Sequence, residues 1–249
     1  MAKKTFLFLI LILLFSCHKK NEKAKELLLI ATDKSSFINK TELTLKIFSD
    51  STYVFNINVN GQLYNKVENF KGYVKIKNDS LDFFPSRFEF IRADKANLKN
   101  GYIDFIDGDV PFRMKIDSTK LKVNNLINFS KFKNYAVFNY EKNERENDEN
   151  LNIDLNEKDI YEIENLLKPE FKKRKNLNEY GRYLKQLIGY KKANGEKYVI
   201  IKSFCESRYE LENFRKSVIE MNDGGKCNIF IVLNLTQKKI EIFSVAGLA

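Results

Sequence analysis

Three cysteines and one histidine carry the most reactive side chains of this chain. Cys17 and His18 are adjacent near the N-terminus, whereas Cys205 and Cys227 lie towards the C-terminus. Ser-His-Asp triads, Cys-His dyads and histidine-ligated metal sites all need an imidazole in the folded body. His18 lies in a short polar segment instead, so the sequence predicts no catalytic residue, no metal site and no cofactor. Catalysis by paired carboxylates stays open, although no spacing singles out a pair.

A short apolar segment precedes Cys17. Residues 6–15 are all apolar and follow the basic pair Lys3 and Lys4. A helix needs roughly 20 apolar residues to span a bilayer, so this segment is typical of a secretory signal. The residues LFSC at 14–17 place an aliphatic residue three positions before Cys17 and a small one directly before it. In these residues the chain resembles bacterial lipoprotein precursors; an ordinary secretory signal or an N-terminal anchor is the alternative.

This resemblance implies a compartment. Residues 1–16 would be removed as a signal peptide, and the Cys17 thiolate would carry a diacylglyceryl group, with residues 17–26 as a leash to the membrane. Two or more acyl chains hold a protein firmly at a bilayer. No aspartate follows Cys17, so the sorting rule of enteric bacteria implies the outer membrane. We therefore expect a lipid-anchored protein of the cell envelope.

The chain is basic, with a formal net charge of +10. An exported protein rarely meets nucleic acid, so we expect no nucleic-acid partner. Attraction to anionic lipid or polysaccharide is one reading of this charge, and the codon composition of an AT-rich genome is the other.

Lipidation of Cys17 would leave two cysteines. In an oxidising envelope an even number of cysteines favours a disulfide, so Cys205 and Cys227 are predicted to pair. Two separate buried thiols are the alternative.

Three serines follow an aspartate in predicted turns or near strand ends. Ser51, Ser80 and Ser118 each lie in an Asp-Ser-Thr or Asp-Ser-Leu triplet. These triplets resemble the O-glycosylation sequon of Bacteroidota, which implies glycan at the three serines. Because Asp and Ser are also good turn residues, a purely structural role is the alternative.

The predicted fold is α+β in two parts. Residues 27–118 alternate apolar and polar side chains between turn signals, which predicts about eight short strands in an antiparallel meander or small barrel. The pattern resembles lipocalin-like barrels, which implies either an apolar ligand inside or a lumen filled by the barrel's own side chains. Residues 119–152 read as a connector, a helix or an extra strand, ending in an acidic linker.

Residues 153–249 are predicted to form a helix–hairpin–helix–hairpin domain with a four-stranded antiparallel sheet. Asn156 is the expected N-cap of the first helix, and Pro169 is expected to interrupt it. Leu211, Phe214 and Val218 mark one face of the second helix. From residue 200 onwards the chain is similar to the tails of hypothetical lipoproteins from Bacteroidota, a resemblance that carries over no catalytic residue.

The leading hypothesis is a non-enzymatic, envelope-anchored lipoprotein that acts as a binding or interaction module for an envelope protein or an apolar ligand. The first alternative is an immunity or inhibitor protein that acts against a periplasmic toxin. The second is a hydrolase that uses carboxylates alone.

Acylation of Cys17 is directly testable. Metabolic labelling with an alkyne fatty acid is expected to tag the wild-type chain and not the Cys17→Ser variant, because the thiolate is the acceptor. Equal labelling of both chains would contradict the lipoprotein hypothesis.

Overall fold

Alternating burial shapes the first half of the chain. In the computed structural model, which describes residues 25–35, 40–61, 65–84, 92–106, 108, 112–141, 149–205 and 213–247, Tyr53, Phe55 and Ile57 are buried and the residues between them are half-buried. Successive side chains of a strand point to opposite faces, so one face becomes core and the other an outer wall.

Eight antiparallel strands in chain order close into a barrel, with β1 pairing both β2 and β8. The predicted meander that closes into a small barrel is therefore confirmed. The sequence pattern also predicts a strand at 87–91, which lies outside the described residues, whereas β6 has no counterpart among the strands predicted from the pattern. The strands are β1 Leu27–Ser35, β2 Lys40–Phe48, β3 Thr52–Asn60, β4 Asn65–Lys77, β5 Ser80–Phe84, β6 Lys95–Lys99, β7 Tyr102–Ile106 and β8 Phe112–Thr119.

The barrel interior is a packed core. Inward-facing side chains from all eight strands form one buried cluster. Phe83 stacks on Phe105 with ring centroids 5.8 Å apart, and Tyr53 meets Phe83 edge-on at 5.2 Å. Eight-stranded barrels are just wide enough to be filled in this way. Aromatic side chains therefore occupy the lumen in the described strands.

A six-stranded mixed sheet follows the barrel. This sheet and the elements packed on it, from Ile127 onwards, are called the sheet unit. Its order is β10-β11-β12-β13-β14, and β9 pairs in parallel with β11. The predicted four-stranded sheet was too small because β9 and β10 each pair with the far edge of β11 over only a few residues. The strands are β9 Tyr135–Phe138, β10 Leu151–Asn152, β11 Tyr183–Lys191, β12 Lys197–Cys205, β13 Asn228–Asn234 and β14 Lys239–Val245.

One α-helix, α1 Glu157–Lys173, covers one face of this sheet. Asn156 caps it as predicted, accepting from the Lys158 amide at 2.9 Å, while the Asp159 carboxylate accepts from the Asn156 amide at 2.9 Å. Pro169 lies inside the helix and does not interrupt it, contrary to the prediction. The last turn persists because Phe171 is buried among aromatic rings of the sheet unit.

The predicted second helix is wrong in the part that the structure describes; Leu211 lies outside the described residues. Among the described residues α1 is the only α-helix, and Phe214 lies instead in a 3₁₀ turn, Asn213–Arg215. The buried Gln186 side chain donates to the carbonyls of Phe214 and Ser217, at 2.6 and 2.8 Å, and accepts from the Ile219 amide at 2.8 Å. These bonds satisfy backbone groups that a helix would otherwise pair. The fold is thus mostly β rather than the predicted helix–hairpin–helix–hairpin arrangement.

A disulfide joins Cys205 and Cys227, as predicted. Cys205 ends β12, and Cys227 ends a 3₁₀ turn, Gly225–Cys227, directly before β13. Since β12 and β13 are antiparallel neighbours, both cysteines lie at the same rim, with Cα atoms 4.7 Å apart. The bridge therefore closes the segment between the two strands.

Removing this bridge should destabilise the sheet unit. The Cys205→Ser/Cys227→Ser variant is expected to lose about 3 kcal/mol of unfolding free energy, because closing a loop of this length restricts the unfolded chain. Denaturant unfolding of the variant and of the reduced wild type measures this loss. Hydrogen exchange of the barrel amides is the internal control and should change little. Equal stability of the oxidised and reduced proteins would contradict the expectation.

Candidate functional site

A row of polar side chains crosses the outer wall of the barrel. Ser80, Asn97, Asp104 and Arg113 stand directly opposite one another on β5, β6, β7 and β8. Their strand neighbours fill the lumen, so alternation places these four side chains outside. On an isolated barrel this row would face water.

In the folded chain, one end of the row is buried beneath the sheet unit. The Arg113 Nε lies 2.7 Å from an Asp104 carboxylate oxygen, and the two side chains are 7% and 8% exposed. The other guanidinium nitrogens donate to the carbonyls of Arg215 and Val137, at 3.0 and 3.1 Å. The guanidinium also lies 4.3 Å from the centre of the Phe138 ring. Arg113 thus attaches the barrel wall to the sheet unit.

Burial dominates the electrostatics of this pair. It raises the pKa of the Asp104 carboxyl, while Arg113 and then Lys99 act in the opposite direction. Removing a charge from water is costly and needs a close, hydrogen-bonded partner to offset the cost. Arg113 is that partner.

Two lysines make further polar links between the units. The Lys99 side chain, on β6, is 10% exposed and pairs with Asp154 of the sheet unit. Lys216 pairs with Asp33 of β1, with 3.0 Å between nitrogen and oxygen. The two units are therefore held by charge pairs on several strands.

At the other end of the row, the two units enclose a cleft of about 470 Å³. The barrel contributes its floor, and the segments around β9 and β10 contribute the opposite wall. Its lining is mainly polar: Asp79, Ser80, Asn97, Lys99, Ile106, Asn124, Asn139, Tyr140, Asn152 and Asp154. The volume falls within the usual range for small-molecule sites.

Three asparagines of this lining have their side-chain oxygens engaged by protein donors. The pairs are Asn97 with the Ser80 hydroxyl at 3.2 Å, Asn139 with the Lys99 ammonium at 3.2 Å and Asn152 with the Tyr140 amide at 2.7 Å. The oxygen and the NH₂ group of a side-chain amide are bonded to the same carbon and point in different directions. A hydrogen bond that holds the oxygen in place therefore also sets the direction of the NH₂ group.

The aromatic part of the lining belongs to a stack of three tyrosines. The ring of Tyr140 lies 4.9 Å from that of Tyr190, and Tyr190 lies 5.4 Å from Tyr198, both in stacked geometry. Lys192 covers Tyr198, with its ammonium 4.1 Å from the ring centre. The stack positions Tyr140 at the edge of the cleft.

Of the functional residues predicted from the sequence and described by the structure, only Ser80 lines this cleft. Cys17 is outside the described residues. Ser51 is exposed in the β2–β3 turn with a φ of 63°, and Ser118 is exposed on β8. Ser80 alone reaches the cleft, as a hydrogen-bond donor to Asn97. The other cleft residues were missed because outward polar residues on a strand look the same in sequence whether or not another unit covers them.

Within the described part of the chain, no three His, Cys, Asp or Glu side chains gather as a metal site would require. The buried Asp104 is paired with Arg113, whereas Asp79 is half-buried and Asp154 is exposed. None of the helices described there is both long enough and apolar enough to cross a membrane.

Comparison with models of protein families, with curated proteins and with solved structures finds no significant match to this chain.

The Asp104–Arg113 pair generates a prediction on stability. Arg113→Met should lower the unfolding free energy by about 3–5 kcal/mol at neutral pH, because it leaves a buried carboxylate without its partner. The loss should be smaller at about pH 4 than at about pH 8: burial already raises the Asp104 pKa, and protonation removes the unpaired charge.

A double-mutant cycle provides the control. Asp104→Asn in the Arg113→Met background should recover part of the loss, since no charge is then stranded. Urea unfolding of the four proteins at both pH values measures the coupling. Additive effects that do not depend on pH would show that the pair is not the attachment described here.

Proposed function

We propose that this chain is a non-enzymatic, envelope-anchored lipoprotein that works as a binding module, and that its ligand site is the cleft between barrel and sheet unit. The single observation that carries the proposal is the convergence of polar side chains from both units on one cavity of ligand size. Preformed clefts of this volume are typical of small-molecule binding sites, and the mainly polar lining suits a polar ligand.

The packed lumen favours the cleft over the barrel interior as the ligand site. The apolar ligand expected from the lipocalin-like pattern would have to displace buried side chains such as Phe55, Phe83 and Leu98. Displacing a close-packed core is costly. The absence of histidine from the sequence beyond His18 supports a binding rather than a catalytic role.

The tether and the glycan remain part of the proposal. The LFSC pattern at 14–17 supports acylation of Cys17 and a place in the cell envelope, at the outer membrane by the enteric sorting rule. The exposure of Ser51 and Ser118 supports access by a glycosyltransferase. Ser80 is a weaker acceptor because it is half-buried and its hydroxyl donates to Asn97.

An immunity or inhibitor function is the second candidate. β14 is an edge strand of the sheet, and unpaired edges can bind a strand of a partner. Phe230 and Ile242 are 37% and 47% exposed near this edge, which would suit an apolar partner surface. A carboxylate hydrolase has less support, because Asp79 and Asp154 share the cleft but neither is fully buried.

A blocking variant tests the cleft. Asn97→Trp should fill it from the barrel side, whereas Asn58→Trp puts the same ring on β3, three strands away from β6 around the barrel. The mature proteins, immobilised without lipid, would be incubated with small molecules and polymers extracted from the host envelope, and retained species identified by mass spectrometry.

Wild type and Asn58→Trp are expected to retain the same species, and Asn97→Trp to lose them. Equal retention by Asn97→Trp would place binding elsewhere on the chain. Loss of retention on mutating Phe230 and Ile242 instead would favour the partner-binding alternative.

A further inference from the structure

We infer that the cleft recognises a neutral polyhydroxylated ligand, that is, one or more sugar units. This inference rests on the proposed binding function and adds to it the chemical class of the ligand. Four observations support it: the orientation of the amides, the acceptors beside them, the charge of the lining and the aromatic ring at its edge.

The amides supply donors. Asn97, Asn139 and Asn152 each have the side-chain oxygen engaged by a protein donor. Their NH₂ groups are then the hydrogen-bonding groups that these residues can offer a ligand. A ligand for the cleft therefore needs several oxygen acceptors.

Carboxylates supply acceptors in the same cavity. Asp79 and Asp154 line it together with the three amides. An ionised carboxylate accepts hydrogen bonds and cannot donate them. A ligand that meets both the amides and the carboxylates must donate and accept within a small space, and a hydroxyl group does both.

The charge of the lining disfavours an anion. Two carboxylates and one ammonium, Lys99, are present, and Lys99 is already paired with Asp154. A phosphate or carboxylate ligand would therefore meet net negative charge, whereas a sugar carries none.

The fourth observation is the ring of Tyr140. Tyr140 lines the cleft, and its stacking on Tyr190 fixes the plane of the ring. An aromatic ring offers an apolar surface beside a polar tip, and the C–H face of a sugar can pack on such a surface. Apart from Ile106, the remaining lining is polar, so an apolar ligand would leave many groups without partners.

The experiment uses the full mature chain, labelled with ¹⁵N. Glucose, galactose, mannose and N-acetylglucosamine, and disaccharides of these, are titrated to millimolar concentration, with inorganic phosphate as the anionic comparison. The side-chain NH₂ signals of Asn97, Asn139 and Asn152 report on the cleft.

Two near-isosteric variants sharpen the test. Asn139→Asp and Asn152→Asp keep an oxygen for Lys99 and for the Tyr140 amide but remove the NH₂ donor. Each should weaken saccharide binding by roughly 3- to 10-fold, as expected for one lost hydrogen bond. Asn58→Asp on β3 introduces the same charge away from the cleft and should leave the affinity unchanged.

The outcomes distinguish the claim that the ligand is a saccharide from the claim that the cleft is a binding site. Saccharide-induced shifts of the three NH₂ signals, weakened by Asn139→Asp and Asn152→Asp only, would support the inference. Shifts with phosphate but with no saccharide would overturn it and leave the cleft as the binding site. No shift with any saccharide, or equal affinity of all variants, would also overturn it, while the envelope-extract assay still decides the proposed function.

Discussion

The docking of the two units of this protein centres on one buried ion pair, Asp104–Arg113, to which the Lys99–Asp154 and Lys216–Asp33 pairs add. Asp104 and Arg113 belong to the barrel wall, yet the groups that complete their hydrogen bonding, the carbonyls of Val137 and Arg215, belong to the other unit. A pair of charges removed from water gains little unless every polar atom finds a partner. Burial of the pair is therefore favourable only when the sheet unit sits in one particular place on the wall.

That constraint also creates the cleft. The polar row that ends in Arg113 begins at Ser80 and Asn97, which line the cavity. A small rotation of one unit over the other would break the Arg113 contacts and separate the two walls of the site. We expect the buried pair to favour this one orientation over others more than it adds net stability. Here a fixed orientation is what keeps side chains from two units converged on the same space.

The sequence correctly predicted the features that depend on local patterns and on composition. Alternation along the strands indicated the barrel, Asn156 marked the start of α1, and the even cysteines indicated the Cys205–Cys227 bridge. The predictions from sequence were wrong or missing where contacts between distant residues determine the structure. Gln186 replaces the hydrogen bonds of the expected second helix from 28 to 33 residues away, and Lys99 reaches residues 40 and 55 positions later in the chain. No local pattern encodes such pairs.

Because side chains fill its lumen, this barrel is proposed to bind its ligand on the outer wall rather than inside. The wall is rigid because its inner face is close-packed, so it can hold Asn97 and Lys99 at fixed positions for a site assembled outside. Any ligand that contacts both walls of the cleft binds only the docked arrangement of the two units. Binding of such a ligand therefore stabilises the docked arrangement of the barrel and the sheet unit. The same geometry that makes the site therefore couples its occupancy to the Asp104–Arg113 attachment, and weakening that attachment would lower affinity without touching a single lining residue.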